Sequence, residues 1–265
     1  MRLFWSFTRQ SFHSSAIYRF DFWLQLFSVF LMMYSVFWIW TILYHQRPGA
    51  FGISLEQMIT YGVLGMALDT IFHPGRGPQM YIAQQIRSGA IDTDLMKPLD
   101  FHLHMLARHF GETLFRFSTL ALPSLIIGYL FLDLQLPAGW AQGLLFVISL
   151  LLGFMVLFSL NFLLGLLAVV TLDIRSITWA YNGIVRFFAG QMVPLWVFPG
   201  FIGALAAVLP FKSIFYIPLS IYIGRLSGSE AWQAIGFQLV WICVLIPLGR
   251  LAWGRIHSRL VVQGG

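Results

Sequence analysis

From Trp179 to Pro218 the chain runs for forty residues with only two charged side chains, Arg186 and Lys212, and with prolines at 194, 199, 210 and 218. A helix crossing a bilayer needs about 20 consecutive apolar residues. The stretch is too long for one such helix, and its prolines break it too often for two ordinary ones. Irregular backbone at membrane depth is tolerated only where other protein or a water-filled cavity satisfies its polar groups. The layout that fits is one helix crossing outward, followed by a re-entrant hairpin dipping back from the far side at about 198–217. A simple anchor has no use for such an element, whereas a transport path does.

The rest of the chain is equally apolar, with 58% hydrophobic and only 10% charged residues, against about 25% charged in a soluble domain. Its 265 residues make one membrane domain, 1–265, with no room for a separate soluble one. The net charge of +6 comes from sixteen Lys and Arg scattered singly. With no basic run, these read as topology signals, and no nucleic-acid partner is expected. The lone Cys243 excludes a disulfide framework and a Cys-based zinc site. Met1 to Phe22 lacks an apolar core followed by a small-residue cleavage site, so no cleaved signal peptide is expected.

Apolar runs predict six spans, at roughly 23–44, 57–73, 113–132, 140–171, 177–197 and 232–253. With both termini inside, twelve Lys and Arg fall on the inner side and three (Arg47, Lys212, Arg225) on the outer, with Arg186 left in the membrane. That is the positive-inside pattern, and it predicts cytoplasmic termini. Ahead of the first span, Arg2, Ser6, Arg9 and His13 share one helical stripe away from Phe4, Phe7, Ser11 and Phe12. This pattern predicts a short interfacial helix on the inner leaflet.

The largest cytoplasmic piece, 74–112, has the punctuation of a folded unit. The run from His73 through Pro74, Gly75, Arg76 and Gly77 to Pro78 stops the second span. Gln79 to Arg87 follows as a helix with Ile82 and Ile86 at i and i+4, and Ser88-Gly89 is a C-terminal stop. Asp100 can cap a further helix carrying His104, Arg108, Glu112 and Arg116 at four-residue spacing. Two short cytoplasmic helices joined by a turn make a docking surface.

No chemistry is visible in the chain itself. Its two lysines, Lys97 and Lys212, follow Met96 and Phe211 rather than a glycine, so no phosphate-cradling loop exists. His102 and His104 lie about 200° apart on a helix and cannot share a metal from one face. There is no His-Glu-x-x-His and no Gly-x-Ser-x-Gly. The reading is a non-enzyme that binds no cofactor of its own.

The run from Ile86 to Pro98 (Ile-Arg-Ser-Gly-Ala-Ile-Asp-Thr-Asp-Leu-Met-Lys-Pro) resembles the Ile-x-x-Gly-x-(Ile/Leu)-x-x-x-Leu-x-(Lys/Arg)-Pro pattern of type-2 ATP-binding-cassette (ABC-2) permeases. So does Arg186 through Pro199, followed by Leu209-Pro210-Phe211 and Tyr216-Ile217-Pro218. The terminal Gly264-Gly265 also fits the small subgroup of six-span permeases of similar length. The resemblance covers nearly the whole chain. It implies an all-α polytopic membrane protein of six transmembrane helices, with the interfacial helix, a cytoplasmic coupling helix and the re-entrant hairpin before the last span. It implies the membrane subunit of an exporter, paired with a second permease (a heterodimer favoured over a homodimer) and with separate ABC-type ATPase subunits that hold the ATP and Mg. Ile82, Ile86, Arg87, Gly89, Asp94, Leu95 and Pro98 would then belong to the coupling region, and the bacterial cytoplasmic (inner) membrane is the expected location. An ATP-independent channel or secondary carrier is the alternative reading, but it calls for several paired charges inside the membrane. A non-transporting scaffold would explain the cytoplasmic loop but not the broken segment.

Within the membrane, the candidates for path or gate are Asp69, Asn182, Arg186, Gln191, Pro194, Pro199 and Pro210. Arg186 lies about ten residues into its span, where an arginine faces a cavity or partner, forms a structural ion pair, or snorkels. Asp69 sits one turn from the inner end of the second span, which favours a helix-end role over path lining. Asn161, Asn182 and Gln191 read first as hydrogen-bonding groups between helices.

Overall fold

The computed structural model describes residues 2–14, 19–47, 51–73, 75, 77–97, 100–171 and 174–263, without the side chains of 2, 14, 19–22, 92, 95 and 257–263. Pro98, Pro74, Arg76, Gly264-Gly265 and the side chain of Leu95 therefore lie outside the described residues. Among those that are described, the regular structure is helical throughout.

The chain begins with α1 (Arg2–Ser14) and α2 (Arg19–Gln46), followed by α3 (Leu55–Asp69), α4 (Pro78–Ser88), α5 (Ile91–Leu95) and α6 (Phe101–Arg116). A π-helical turn, Phe117–Ala121, joins α6 to α7 (Leu122–Phe131) without interruption. Pro123 has no N–H to offer the preceding turn, and the wider π turn absorbs that loss. Next come α8 (Trp140–Leu166), α9 (Ala168–Thr171) and α10 (Arg175–Phe188). After a 3-10 turn at Leu195–Val197 lie α11 (Gly200–Val208), a second 3-10 turn at Pro210–Ser213, α12 (Tyr216–Tyr222) and α13 (Gly228–Gln263).

Four helical stretches are long and apolar enough to cross a membrane: Trp23–Gln46, Phe101–Phe131, Trp140–Thr171 and Gly228–Ile256. A fifth arises if Gly200–Val208 and Pro210–Tyr222, bent by 71° at Leu209, act as one broken element. The expected spans at 57–73 and 177–197 are instead occupied by α3 and α10, of 15 and 14 residues. The second of these stops early because Gly190 turns left-handed at φ 68°. The expected span at 113–132 is also part of something longer, since α6 runs straight into it.

α3 is the centre of the molecule. It is apolar on every side, and Met58 through Leu68 are all buried, as befits a helix enclosed by others. Its start is fixed by a capping box, with Ser54 accepting from Gln57 N–H and the Gln57 side chain accepting from Ser54 N–H. Gly65 lets the broken segment approach, for a Cβ there would sit 2.6 Å from the Gln191 carbonyl oxygen. Around α3, residues of α2, α7, α8 and α12 complete one core that includes Met33, Trp40, Phe154, Phe215 and Leu219.

α1 is helical over Arg2–Ser14, and its aromatic face turns onto α6. Phe7 packs edge-on against His104, Phe12 against Phe115, and the Thr8 hydroxyl donates to the Ala107 carbonyl at 3.2 Å. Leu3 and Trp5 remain exposed.

Candidate functional site

Two regions draw the sequence candidates together. The first is a platform at the end of the molecule where α1, α4, α5 and the start of α6 meet. α4 begins at Pro78, behind the extended Gly77, and ends at Gly89, whose φ of 69° suits a residue without Cβ. α6 begins where the Asp100 carboxylate accepts from Leu103 N–H at 3.3 Å. Ile82 is wholly buried against Phe158 and Phe162 of α8, and Ile86 packs at the edge of the same cluster. Arg87, Ser88 and Gly89 face outward, and Arg87 with Ser88 borders a groove of about 490 Å³ shared with Ile174 and Arg175 at the start of α10.

Asp94 is only 1% exposed and lies at the heart of this platform. Its Oδ1 accepts from Lys97 Nζ at 2.5 Å and from the Tyr81 hydroxyl at 3.2 Å, while Oδ2 accepts from Gln85 Nε2 at 3.0 Å. Lys97 also donates to His104 Nε2 at 3.1 Å, and the Arg108 guanidinium stacks over the Tyr81 ring at 3.9 Å. Burial alone would raise the Asp94 pKa, but His104, Lys97, Gln85 and Tyr81 together hold its carboxyl well below the usual range. Tyr81 is pushed up to about 12, first by burial and then by its bond to the Asp94 carboxylate. One carboxylate thus ties α4, α5 and α6 into a unit, and α6–α7 continues from that unit into the apolar body. Ile82 and Asp94 stand behind the surface and hold it in place, whereas Arg87 and Gly89 are on it.

The second region is a cavity of about 730 Å³, lined by α2, α3, α10 and the broken segment. Arg186 donates to Asp69 Oδ2 at 2.8 Å on its wall, so the two membrane charges that the sequence left separate are partners. Gln191 and Pro199 line the same cavity, together with apolar residues that include Leu31, Met66 and Phe198. Asn182 is elsewhere, with its amide packed against Gly75 beyond the end of α3. Pro194 and Pro199 set the extended backbone before the 3-10 turn and before α11, and Pro210 opens the second 3-10 turn at the bend.

The broken segment is held by polar contacts that no local spacing signals. The Tyr61 hydroxyl donates to the Gly190 carbonyl, and Trp196 Nε1 donates to the Phe51 carbonyl at 3.2 Å. The Arg225 guanidinium covers the Trp196 ring at 4.1 Å. Gln238 Nε2 donates to both Ser149 and Ser213 carbonyls at 2.9 Å, tying α13 to α8 and to the second 3-10 turn. Asn161 is fully buried in α8, beside Gly77. Sequence reasoning missed Tyr61, Trp196 and Gln238 as parts of this arrangement. For the platform a signal did exist: Tyr81 and Gln85 stand four apart on α4, and Asp94 and Lys97 three apart, polar groups on a face that carries buried neighbours.

Several long apolar helices packed about a buried central one define an integral membrane protein that crosses the bilayer several times. Over residues 30–264 the chain matches the family described as ABC-2 family transporter protein, and it belongs to that family. It is accordingly a membrane permease of the ABC-transporter type. No curated protein matches the chain.

Proposed function

We propose that this chain forms the translocation path of an ABC exporter and is driven by separate ATPase subunits, which hold the ATP and Mg while this chain binds neither. The observation that carries the reading is the unbroken helix Phe101–Phe131. One of its ends is fastened to α4 and α5 through His104 and the Asp94 cage, and the other lies within the apolar body. A push on the exposed Arg87–Gly89 end of α4 would move this helix as a lever and tilt the helices packed on it. The segment from Pro194 to Pro218 would close the outer side.

In this layout α3 and α10 complete six crossings, and both termini lie on the platform side. That side faces the cytoplasm of a bacterial cell, with α1 resting between α6 and the inner leaflet. The open flank of the Asp69–Arg186 cavity supports a second permease facing it, and the family resemblance favours a heterodimer. An ATP-independent carrier finds less support, because one ion pair is a thin basis for ion coupling.

The test is purification in mild detergent through a tag at the C-terminus, with mass spectrometry of what accompanies the chain. An ATPase with a phosphate-binding loop is expected, and it should be lost when Arg87 and Gly89 are replaced. Recovery of the chain alone, still moving solute into liposomes, would overturn the proposal.

A further inference from the structure

A second, polar pocket of about 280 Å³ lies between the inner end of α3, the first turns of α4 and the middle of α6, away from the Asp69–Arg186 cavity. Its wall includes His73, Arg108, His109, Glu112, Thr113 and Arg116, and two arginines against one glutamate leave a formal charge of +1. Arg108 and Glu112 pair with each other at 3.2 Å, so the glutamate's charge is countered within the wall.

Two buried side chains of the wall lack a partner. His109 and Thr113 are 4% and 9% exposed, and neither ring nitrogen nor the hydroxyl has a hydrogen-bond partner in the protein. Buried polar groups are as a rule paired with protein, water or a ligand, and these three atoms face a pocket that can hold one. His73 Nδ1 accepts from Gly75 N–H at 3.1 Å at the mouth of the same pocket. Gly77 gives the first turn of α4 no side-chain cap, and Gly77, Met80 and Tyr81 border the pocket. The end of a helix that lacks such a cap favours negative charge.

We infer that this pocket binds a phosphate-bearing anion, held by Arg116, Arg108, the buried Thr113 hydroxyl and the His109 ring. Guanidinium groups suit phosphate oxygens because their N–H groups form a planar fork. Arg116 is the last charged residue of the helix Phe101–Phe131, so the pocket lies where the charged half of that helix gives way to its apolar half, at headgroup depth. The phosphate therefore belongs to a phospholipid headgroup or to a soluble phosphate reaching the same mouth. Nothing in this proposal requires an ATPase to dock on the platform, so it stands or falls separately from the exporter reading.

The experiment uses the full-length chain in a neutral detergent, with binding followed by native mass spectrometry and by melting temperature. The probes are phosphatidylglycerol, diacylglycerol with the same acyl chains, and inorganic phosphate. Retention of phosphatidylglycerol over diacylglycerol, undisturbed by millimolar phosphate, identifies a lipid headgroup. Stabilisation by phosphate alone, with displacement of the lipid, identifies a soluble ligand. In either case Thr113→Val and Arg116→Gln should each weaken binding about tenfold, the loss of one charge-assisted contact. His109→Phe, which keeps the stack on Phe154 (centroids 5.3 Å apart), should do likewise. Arg116 is only partly buried, so Arg116→Gln remains informative if the Thr113 variant does not fold. Phosphatidylglycerol and phosphate binding no better than diacylglycerol, or a folded Arg116→Gln protein binding as the wild type does, would overturn the inference.

Discussion

Arg186 and Asp69 meet at 2.8 Å across 117 residues of chain, and their contact puts an ion pair on the wall of a largely apolar cavity. Each explains the other. An arginine and an aspartate on the wall of a largely apolar cavity are each costly alone, and pairing reduces that cost. Asp69 is 17% exposed and Arg186 42%, so the pair faces the cavity rather than the core.

Neutralising both partners should therefore cost less than the two single losses added together. Asp69→Asn or Arg186→Gln alone is expected to lower stability by about 1–2 kcal/mol, reduced from a fully buried pair because Arg186 is open to the cavity. The double variant should recover about 1 kcal/mol of the summed loss. Thermal unfolding of the four proteins in one detergent measures this coupling, and strictly additive losses would show that the contact is energetically idle.

The Asp94 cage gives a pH signature. Its folded pKa is depressed, so its contribution to stability is present above the unfolded carboxyl's value of about 3.9 and is lost as pH falls toward the folded value. Tyr81 works in the opposite direction. Raised to about 12, it adds stability below the unfolded phenol value of about 10 and loses it as pH rises through its folded value. Asp94→Asn should cost about 1–3 kcal/mol at neutral pH, since Lys97 would lose a charged acceptor. It should also flatten the stability profile below pH ~4. Melting temperature against pH for wild type and Asp94→Asn decides it, and identical acid limbs would exclude the cage as the cause.

What the sequence disclosed follows the range over which its signals act. The stop of α4 at Gly89 and the Asp100 cap of α6 are local chemistry, and both were legible from neighbouring residues. That prolines break up the stretch from 179 to 218 was legible, whereas the early stop of α10 at Phe188, inside the expected span 177–197, and the 71° bend at Leu209 were not. The continuity of α6 with α7 was hidden because Arg108, Glu112 and Arg116 look like the residues of a solvated helix. In the structure they project sideways into a polar pocket, so the helix need not end for them to be solvated. The partners Arg186–Asp69 and Gln238–Ser213 are set by packing between distant helices, on which a single sequence carries no mark. His102 and His104, two apart in the chain, turn respectively to Phe158 and Phe162 and to Lys97 beside Asp94.

Gly89 separates backbone strain from steric crowding. A Cβ there would meet nothing within 4 Å, yet φ is 69°. Gly89→Ala should thus cost about 1 kcal/mol through strain alone. Gly89→Asn, which tolerates the left-handed region, should cost less, and Gly89→Val more. Hydrogen exchange over residues 85–95 would report the fraying of α4. Equal exchange in the alanine and valine variants would mean that the turn relaxes to another conformation.

Gly111 presents the opposite case, crowding without strain. It lies where α1 crosses α6, and a Cβ there would collide with the Thr8 carbonyl oxygen, a backbone atom that cannot swing aside. Gly111→Ala should push α1 off α6, breaking the Thr8 hydroxyl's bond to Ala107 and separating Phe7 from His104. Because His104 also touches Lys97 at the Asp94 cage, the disturbance should reach α5 as well as α1. The expected result is faster hydrogen exchange across residues 3–13, a smaller increase across 91–97, and unchanged exchange in α13, which lies away from the crossing. A crowded α6 alone would show increased exchange around residue 111 with α1 still protected, so the pattern distinguishes a detached N-terminal helix from a locally strained one.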